Sequence, residues 1–153
     1  MDAVESAEKI RNAAMVLDNA VEQGDKETIL SCFADDAELE VFGLIFTGKN
    51  EIENIINWMY AQFGKIEFEP VVIMVEGNTF FEEFVFCVAP DSDQIKIKAA
   101  EVLEYEDHKI KSLRLYIDRL DMAQKLSKGV FERLLVNFVN QGTIKGLPQP
   151  GNI

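Results

Sequence analysis

The clearest alternation of hydrophobic and polar positions lies between residues 79 and 118. Residues 79–88 are rich in aromatic and β-branched side chains, which are typical of strands. Residues 95–106 alternate apolar and charged side chains with a period of two, and residues 109–118 follow a similar pattern. Because a period of two is typical of a strand covered on one face, this region predicts three antiparallel strands joined by two polar turns.

Glu101 interrupts the apolar face of the second of these strands. Its parity places it with Ile97 and Leu103, on the side that the pattern predicts to be buried. A buried carboxyl group is costly unless it is paired, hydrogen-bonded or protonated, and burial raises its pKa. Glu101 is therefore the candidate catalytic residue, as a general acid or a neutral hydrogen-bond donor. The alternative is a structural carboxylate that meets a buried cation or a backbone N–H group.

The rest of the chain mixes helical and strand patterns. Apolar residues at steps of three and four predict amphipathic helices, and a period of two predicts further strands. Pro70 indicates an edge position or a bulge in one of these strands. Helices are predicted at residues 3–23, 25–33, 50–63 and 130–139, strands at 37–42 and 67–75, a turn at 34–36 and a loop at 43–48. This order of elements is typical of an α+β fold.

Composition excludes several classes of protein. The chain has 153 residues, 48% of them hydrophobic, which is enough for one domain with its own core. A net charge of −12 repels nucleic acid and anionic membranes, so we expect neither as a partner. No apolar run approaches the length needed to span a bilayer, and the N-terminus lacks the basic and apolar regions of a signal peptide, so we expect a cytoplasmic location. Cys32 and Cys87 are predicted to be free thiols, and His108 is the only histidine, so no metal site or cofactor is predicted.

Several short segments resemble the nuclear transport factor 2-like superfamily, in its SnoaL-like and ketosteroid-isomerase-like branches. They are residues 24–26, 32–37 and 47–52, together with the last strand at residues 109–118. The resemblance implies a cystatin-like cone, in which a curved antiparallel sheet wraps around N-terminal helices. The concave side of such a sheet leaves a cavity for a small ligand. The predicted domain spans residues 1–120, and residues 121–153 are predicted to form a C-terminal helical extension and tail.

The resemblance also implies where polar site residues would lie. The polar positions of the steroid isomerases fall on Leu17, Val41 and Glu101, so one acidic residue is retained. Those of the related epoxide hydrolases fall on apolar residues, namely Leu39, Val41, Phe84, Phe86 and Leu115. The pocket is therefore predicted to be mainly apolar, with Glu101 as its main polar group. Its predicted lining is Leu17, Leu39, Val41, Trp58, Met59, Tyr60, Glu82, Phe84, Phe86, Leu103 and Leu115.

Three functions stay open at this point. The first is an isomerase or cyclase that acts next to a carbonyl group through Glu101. The second is a binding protein without catalytic activity, in which Glu101 orients a small apolar ligand. The third is a structural or adaptor dimer, in which phenylalanine side chains fill the cone.

Two further features predict contacts made outside the cone. Apolar residues on the outer face of the sheet, such as Phe81 and Val102, predict a homodimer through the sheet. The apolar stripe at residues 130–139 predicts packing on the domain or across a dimer. We also consider that this helix covers the open end of the cone.

Overall fold

The computed structural model describes residues 3–89 and 94–143. The chain divides into two compact units, Met1–Ile117 and Asp118–Ile153. The first unit contains α1 (Ala3–Gln23), α2 (Lys26–Cys32), β1 (Phe33–Val41), β2 (Leu44–Thr47), α3 (Lys49–Phe63), β3 (Lys65–Glu76), β4 (Thr79–Ala89), β5 (Ile95–Glu106) and β6 (Lys109–Ile117). The second contains α4 (Arg119–Leu126) and α5 (Val130–Thr143). Most of the polar turn predicted between the first two long strands lies outside the described residues.

The six strands of the first unit form one curved sheet, in the order β2-β1-β6-β5-β4-β3. This confirms the α+β fold and the three long antiparallel strands, β4, β5 and β6. All neighbouring pairs are antiparallel except β1 and β6, which are parallel and depart from the purely antiparallel sheet predicted. Strand β3 lies at one edge, and its register shifts between Pro70 and Val72, as the missing N–H group of proline predicts.

Two predictions around β1 are wrong. Residues 34–36, predicted to be a turn, belong to β1, whose register against β6 shifts between Phe33 and Glu38. Such an irregularity lets a strand accommodate polar residues that break a strict alternation. Residues 44–47, predicted to be part of a loop, form β2, which pairs with β1 at the other edge of the sheet. Strand β2 has only four residues, too few for a period of two to be visible.

The core of the first unit lies between the sheet and the helices α1 and α3. Helix α1 contacts β3 and β4, and α3 contacts β1, β2 and β3. Along β5, Ile97, Ala99, Glu101, Leu103 and Tyr105 are buried and alternate with less buried residues. The parity predicted for Glu101 is therefore confirmed, and the concave face of the sheet is the buried one.

Capping residues set the ends of the helices that bound this core. Asp25 caps α2, because one carboxylate oxygen accepts from the Thr28 backbone N–H at 3.1 Å and the other from the Thr28 hydroxyl at 2.6 Å. Gly64 ends α3 with a φ of +63°, and its N–H group donates to the Tyr60 carbonyl at 3.0 Å. This glycine lets the chain turn directly from α3 into β3.

The second unit is a pair of contacting helices. Asp118 caps α4 by accepting from the backbone N–H groups of Leu120 and Asp121, both at 3.1 Å. Gln124 donates to the side chain of Asn137 at 3.0 Å, which joins α4 to α5. The helix predicted at residues 130–139 is thus present, and its role as a cover for the cone stays a prediction. Among the described helices of the chain, none combines the length and apolar character needed to cross a membrane.

Leu103 and Leu44 offer a matched test of this packing. Leu103 has no exposed surface, whereas Leu44 is 60% exposed on the edge strand β2. We expect Leu103→Ala to lower the free energy of unfolding by about 2–5 kcal/mol, because it leaves a cavity in the core. Leu44→Ala should cost less than about 1 kcal/mol. Urea denaturation followed by circular dichroism checks both, and equal losses would contradict this description of the core.

Candidate functional site

A cavity of about 100 Å³ lies between α1, α3 and the concave face of the sheet. Its lining is almost entirely apolar, and Asp18 and Glu101 are the two ionisable residues in it. A buried apolar cavity of about 150 Å³ is large enough for benzene, so this cavity suits a compact molecule of a few carbon atoms.

Aromatic rings form a continuous wall on one side of the cavity. Trp58 meets Phe63 edge to face at 5.6 Å between ring centroids, and Phe63 meets Phe86 in the same way at 5.7 Å. Phe68 then contacts Phe84 at 5.2 Å and Phe86 at 5.7 Å. Ring pairs at these separations are favourable beyond the area they bury, so the wall keeps its shape.

The structure brings most of the predicted pocket residues into this lining. They are Leu17, Leu39, Val41, Trp58, Met59, Phe84, Phe86, Leu115 and Glu101. Three predicted residues lie outside it. Tyr60 donates its hydroxyl to the Val21 carbonyl at 2.7 Å, which turns it toward α1. Leu103 belongs to the core, and Glu82 is buried close to Asp18 and Glu101 without lining the cavity.

Glu101 combines burial with an unsatisfied oxygen. The residue is 7% exposed, and its Oε1 has no hydrogen-bond partner. Burial, and then the charges of Asp18 and Glu82, raise the pKa of Glu101 well above its usual range. The raised pKa favours the protonated form of Glu101, which can donate a hydrogen bond into the cavity.

Glu82 lies directly opposite Glu101 on the neighbouring strand. It is 1% exposed, and neither of its carboxyl oxygens has a hydrogen-bond partner. Burial raises the pKa of Glu82. Two like charges placed opposite each other on adjacent strands repel, which favours the protonated form of each carboxyl group.

Asp18 is the ionisable lining residue that the sequence predictions missed, and apolar lining residues such as Phe63 and Phe68 were also absent from the predicted lining. Asp18 lies on α1 beside Leu17, and burial, followed by the charges of Glu82 and Glu22, raises its pKa to about 7. A signal for it was present in the sequence. Asp18 is four residues after Ala14 and three before Val21, which places it on the apolar stripe of the helix.

The three carboxyl groups form one cluster, which we call the carboxyl cluster: Asp18, Glu82 and Glu101. Each offers an oxygen atom, and these atoms all lie within 4.8 Å of one another. Nearby, the hydroxyl of Tyr105 is buried without a hydrogen-bond partner, and burial followed by the charge of Glu101 raises its pKa. Like charges this close in an apolar setting disfavour ionisation of all three carboxyl groups together, so the cluster favours bound protons. The arrangement can donate a proton, accept one, or hold a cation.

The sequence profile of the SnoaL-like domain matches residues 14–113, which include the whole carboxyl cluster. This chain belongs to the SnoaL-like family. The resemblance to nuclear transport factor 2-like proteins is thereby confirmed. Among curated proteins, none matches this SnoaL-like chain significantly.

Solved structures share the fold of this SnoaL-like protein. A protein assigned as a SnoaL-like polyketide cyclase from Jannaschia sp. CCS1 has a TM-score of 0.75 at 11% identity, covering 84% of this chain and 99% of its own. An LEH-like epoxide hydrolase of M. tuberculosis has a TM-score of 0.68 at 23% identity, covering 89% and 98%. A nuclear transport factor 2-like protein of Burkholderia pseudomallei K96243 has a TM-score of 0.72 at 13% identity, covering 78% and 98%. At these identities the similarity establishes the fold alone.

The carboxyl cluster predicts how the stability of this SnoaL-like protein depends on pH. The pKa of Asp18 is raised from 3.8 to about 7 in the folded chain, so the folded state binds the extra proton. The stabilisation of the folded state by this bound proton is complete at low pH and is lost as the pH rises through about 7. We therefore expect the free energy of unfolding to fall between about pH 5 and pH 8, and Asp18→Asn to reduce that fall.

Urea denaturation at the two pH values measures this difference. Glu83→Gln is the control, because Glu83 is exposed on the opposite face of β4 from Glu82. If Asp18→Asn and Glu83→Gln show the same pH dependence as the wild type, the buried cluster does not carry the effect.

Proposed function

We propose that this SnoaL-like protein binds a small apolar molecule in its cavity and transfers a proton next to a carbonyl group of that molecule, as an isomerase or cyclase does. The single observation that carries the proposal is the pairing of Asp18 and Glu101 in one apolar lining. Their environments differ, because Glu101 is buried and Asp18 is half-buried, and burial raises the pKa of Glu101 well above its usual range and that of Asp18 to about 7. Two carboxyl groups in different environments can take the roles of acid and base.

In this mechanism, protonated Glu101 donates a hydrogen bond to the carbonyl oxygen of the ligand. The hydrogen bond strengthens as negative charge develops on that oxygen, which stabilises the enolate-like transition state. The ionised form of Asp18 removes the proton from the carbon next to the carbonyl and returns it elsewhere on the ligand. The aromatic wall and the other apolar side chains exclude water, which strengthens both interactions.

The names of related structures are compatible with such chemistry without deciding it. A polyketide cyclase assignment and an epoxide hydrolase both occur among proteins with this fold. Neither name transfers to this chain, because a fold supports many functions and the site decides between them. The apolar lining also favours the second candidate, a binding protein in which the same two carboxyl groups only orient the ligand.

Hydrogen–deuterium exchange on cyclopentanone tests the acid–base pair. We expect the protein to accelerate exchange next to the carbonyl, and Asp18→Asn and Glu101→Gln each to reduce the acceleration by roughly 10²–10⁴-fold. The rate should rise as the pH increases through about 7, because Asp18 becomes ionised. NMR in deuterium oxide follows the exchange, and Glu83→Gln serves as the control with unchanged rate.

The outcomes of this experiment separate the two candidates. Exchange at the wild-type rate in both Asp18→Asn and Glu101→Gln overturns the catalytic proposal. Cyclopentanone that binds in the cavity, detected by line broadening, but exchanges no faster than in buffer, selects the binding protein.

The outer face of the sheet supports a further part of the proposal, association with a second copy of the chain. Met74, Phe81 and Val102 are neighbours across three strands on this face. Val72 and Tyr116 extend the same apolar surface, and Val72, Met74 and Tyr116 are 40%, 56% and 54% exposed. Apolar patches of this kind mark interaction surfaces, and a two-fold contact of the patch with itself is the simplest way to cover it.

Sedimentation velocity tests the dimer. We expect the wild type to be dimeric at micromolar concentration and Met74→Glu to be monomeric, because a carboxylate buried in an apolar interface remains unpaired. Met15→Glu changes an equally exposed methionine, at 50%, on α1 and should leave the dimer intact. A wild-type monomer, or two variants that behave alike, would contradict an interface at this face.

A further inference from the structure

The proton transfer proposed above uses Asp18 and Glu101, and it leaves a third buried carboxyl group without a role. Glu82 is 1% exposed, both of its oxygens lack hydrogen-bond partners, and it lies outside the cavity lining. The Oε1 atom of Glu101 and the hydroxyl of Tyr105 are likewise buried without partners. Unsatisfied buried polar groups each cost free energy, so this concentration at one place indicates a ligand group that would satisfy them.

The carboxyl oxygens of the cluster lie close enough together for one primary ammonium group to reach all three. The three N–H donors of such a group point in tetrahedral directions, so acceptors at about 2.8–2.9 Å from the nitrogen lie roughly 4.6–4.7 Å apart. Oxygens of Asp18, Glu82 and Glu101 all lie within 4.8 Å of one another, which keeps them within the span of a single nitrogen atom. The geometry is therefore compatible with one ammonium nitrogen that donates to all three carboxyl groups.

The surroundings favour an organic cation over a metal ion. A calcium ion takes six to eight oxygen ligands, and a magnesium ion keeps several waters in a strict octahedron. Next to the cluster, the cavity supplies apolar and aromatic side chains, with Asp18 and Glu101 as its ionisable groups. Such walls suit the hydrocarbon part of an amine, and the charged cluster suits its nitrogen.

We propose that the carboxyl cluster binds a primary ammonium group, so that the cavity takes small apolar amines. The inference rests on the cavity of the proposed function and adds a second ligand class to it. The amine replaces the protons that the cluster holds when a neutral carbonyl compound is bound. Amines therefore compete with carbonyl ligands and occupy the ionised form of the same site.

The charge of the cluster sets the pH dependence of amine binding. The titratable groups that influence it are Asp18 and Glu22 on α1, Glu82 on β4, Glu101 and Tyr105 on β5, and, through Tyr105, Cys32 on α2. An ammonium nitrogen favours the ionised carboxylates, so binding releases protons from the cluster. Affinity should then rise with pH across the range in which Asp18 ionises, around 7.

Isothermal titration calorimetry with the full chain tests the inference on matched probes. We expect cyclopentylamine to bind at least about tenfold more tightly than cyclopentanol at about pH 8, because only the amine carries the charge. Cyclopentyltrimethylammonium should bind more weakly than cyclopentylamine, because it has the charge without N–H donors. Glu82→Gln should remove most of the preference for the amine over the alcohol, and Glu83→Gln should retain it.

A second measurement is independent of the folding of the variants. Titrations of wild-type protein with cyclopentylamine near pH 7, in two buffers of different ionisation enthalpy, should reveal proton release on binding. Equal affinity for the amine and the alcohol, or binding without proton release, overturns the ammonium site while the cavity and its carbonyl chemistry stand. A preference for the amine that persists in Glu82→Gln also overturns it. If neither probe binds and cyclopentanone exchange is not accelerated, the proposed function fails together with this inference.

Discussion

The close approach of Asp18, Glu82 and Glu101 beside an apolar cavity imposes an energetic constraint on which the candidate site depends. Each carboxyl group loses hydration, and each ionised neighbour makes the next ionisation harder. The hydrophobic contacts of the sheet with α1 and α3 must offset this cost. Proteins retain such arrangements at functional sites, where unfavourable groups are held in place by a well-packed surround.

The residues of the carboxyl cluster come from several secondary-structure elements of the first unit. Asp18 comes from a helix, whereas Glu82 and Glu101 come from two adjacent strands whose register places them opposite each other. Aromatic contacts across α3, β3 and β4 hold the aromatic wall of the cavity, which continues along β4 from Glu82. A change in the position of α1 relative to the sheet would therefore alter the spacing of the carboxyl groups and their pKa values together.

Much of this architecture could be predicted from the sequence, and the misses have physical reasons. The period of two in β5 is long and regular, so the inward position of Glu101 followed from parity alone. The depth at which Glu82 is buried could not be predicted in this way, because parity tells which face of the sheet a residue occupies and not how far it lies from solvent. Asp18 was hidden because a polar residue on the apolar stripe of a helix is ordinarily at the edge of that stripe. Asp18 is a site residue because of the residues that approach it in the folded structure, and not because of its neighbours in the sequence.

The parallel pairing of β1 with β6 has a consequence for how the protein forms. Leu39 on β1 pairs with Leu113 on β6, and both residues border the cavity, although most of the first unit separates them along the chain. Antiparallel meanders assemble from local contacts, whereas this pair must wait until the last strand has been synthesised. During translation β1 can pair with β2 on one side, whereas its other edge has no native partner until β6 has been made. The pocket is consequently one of the last features to form, because β6 must be in place before the apolar interior is shielded from water.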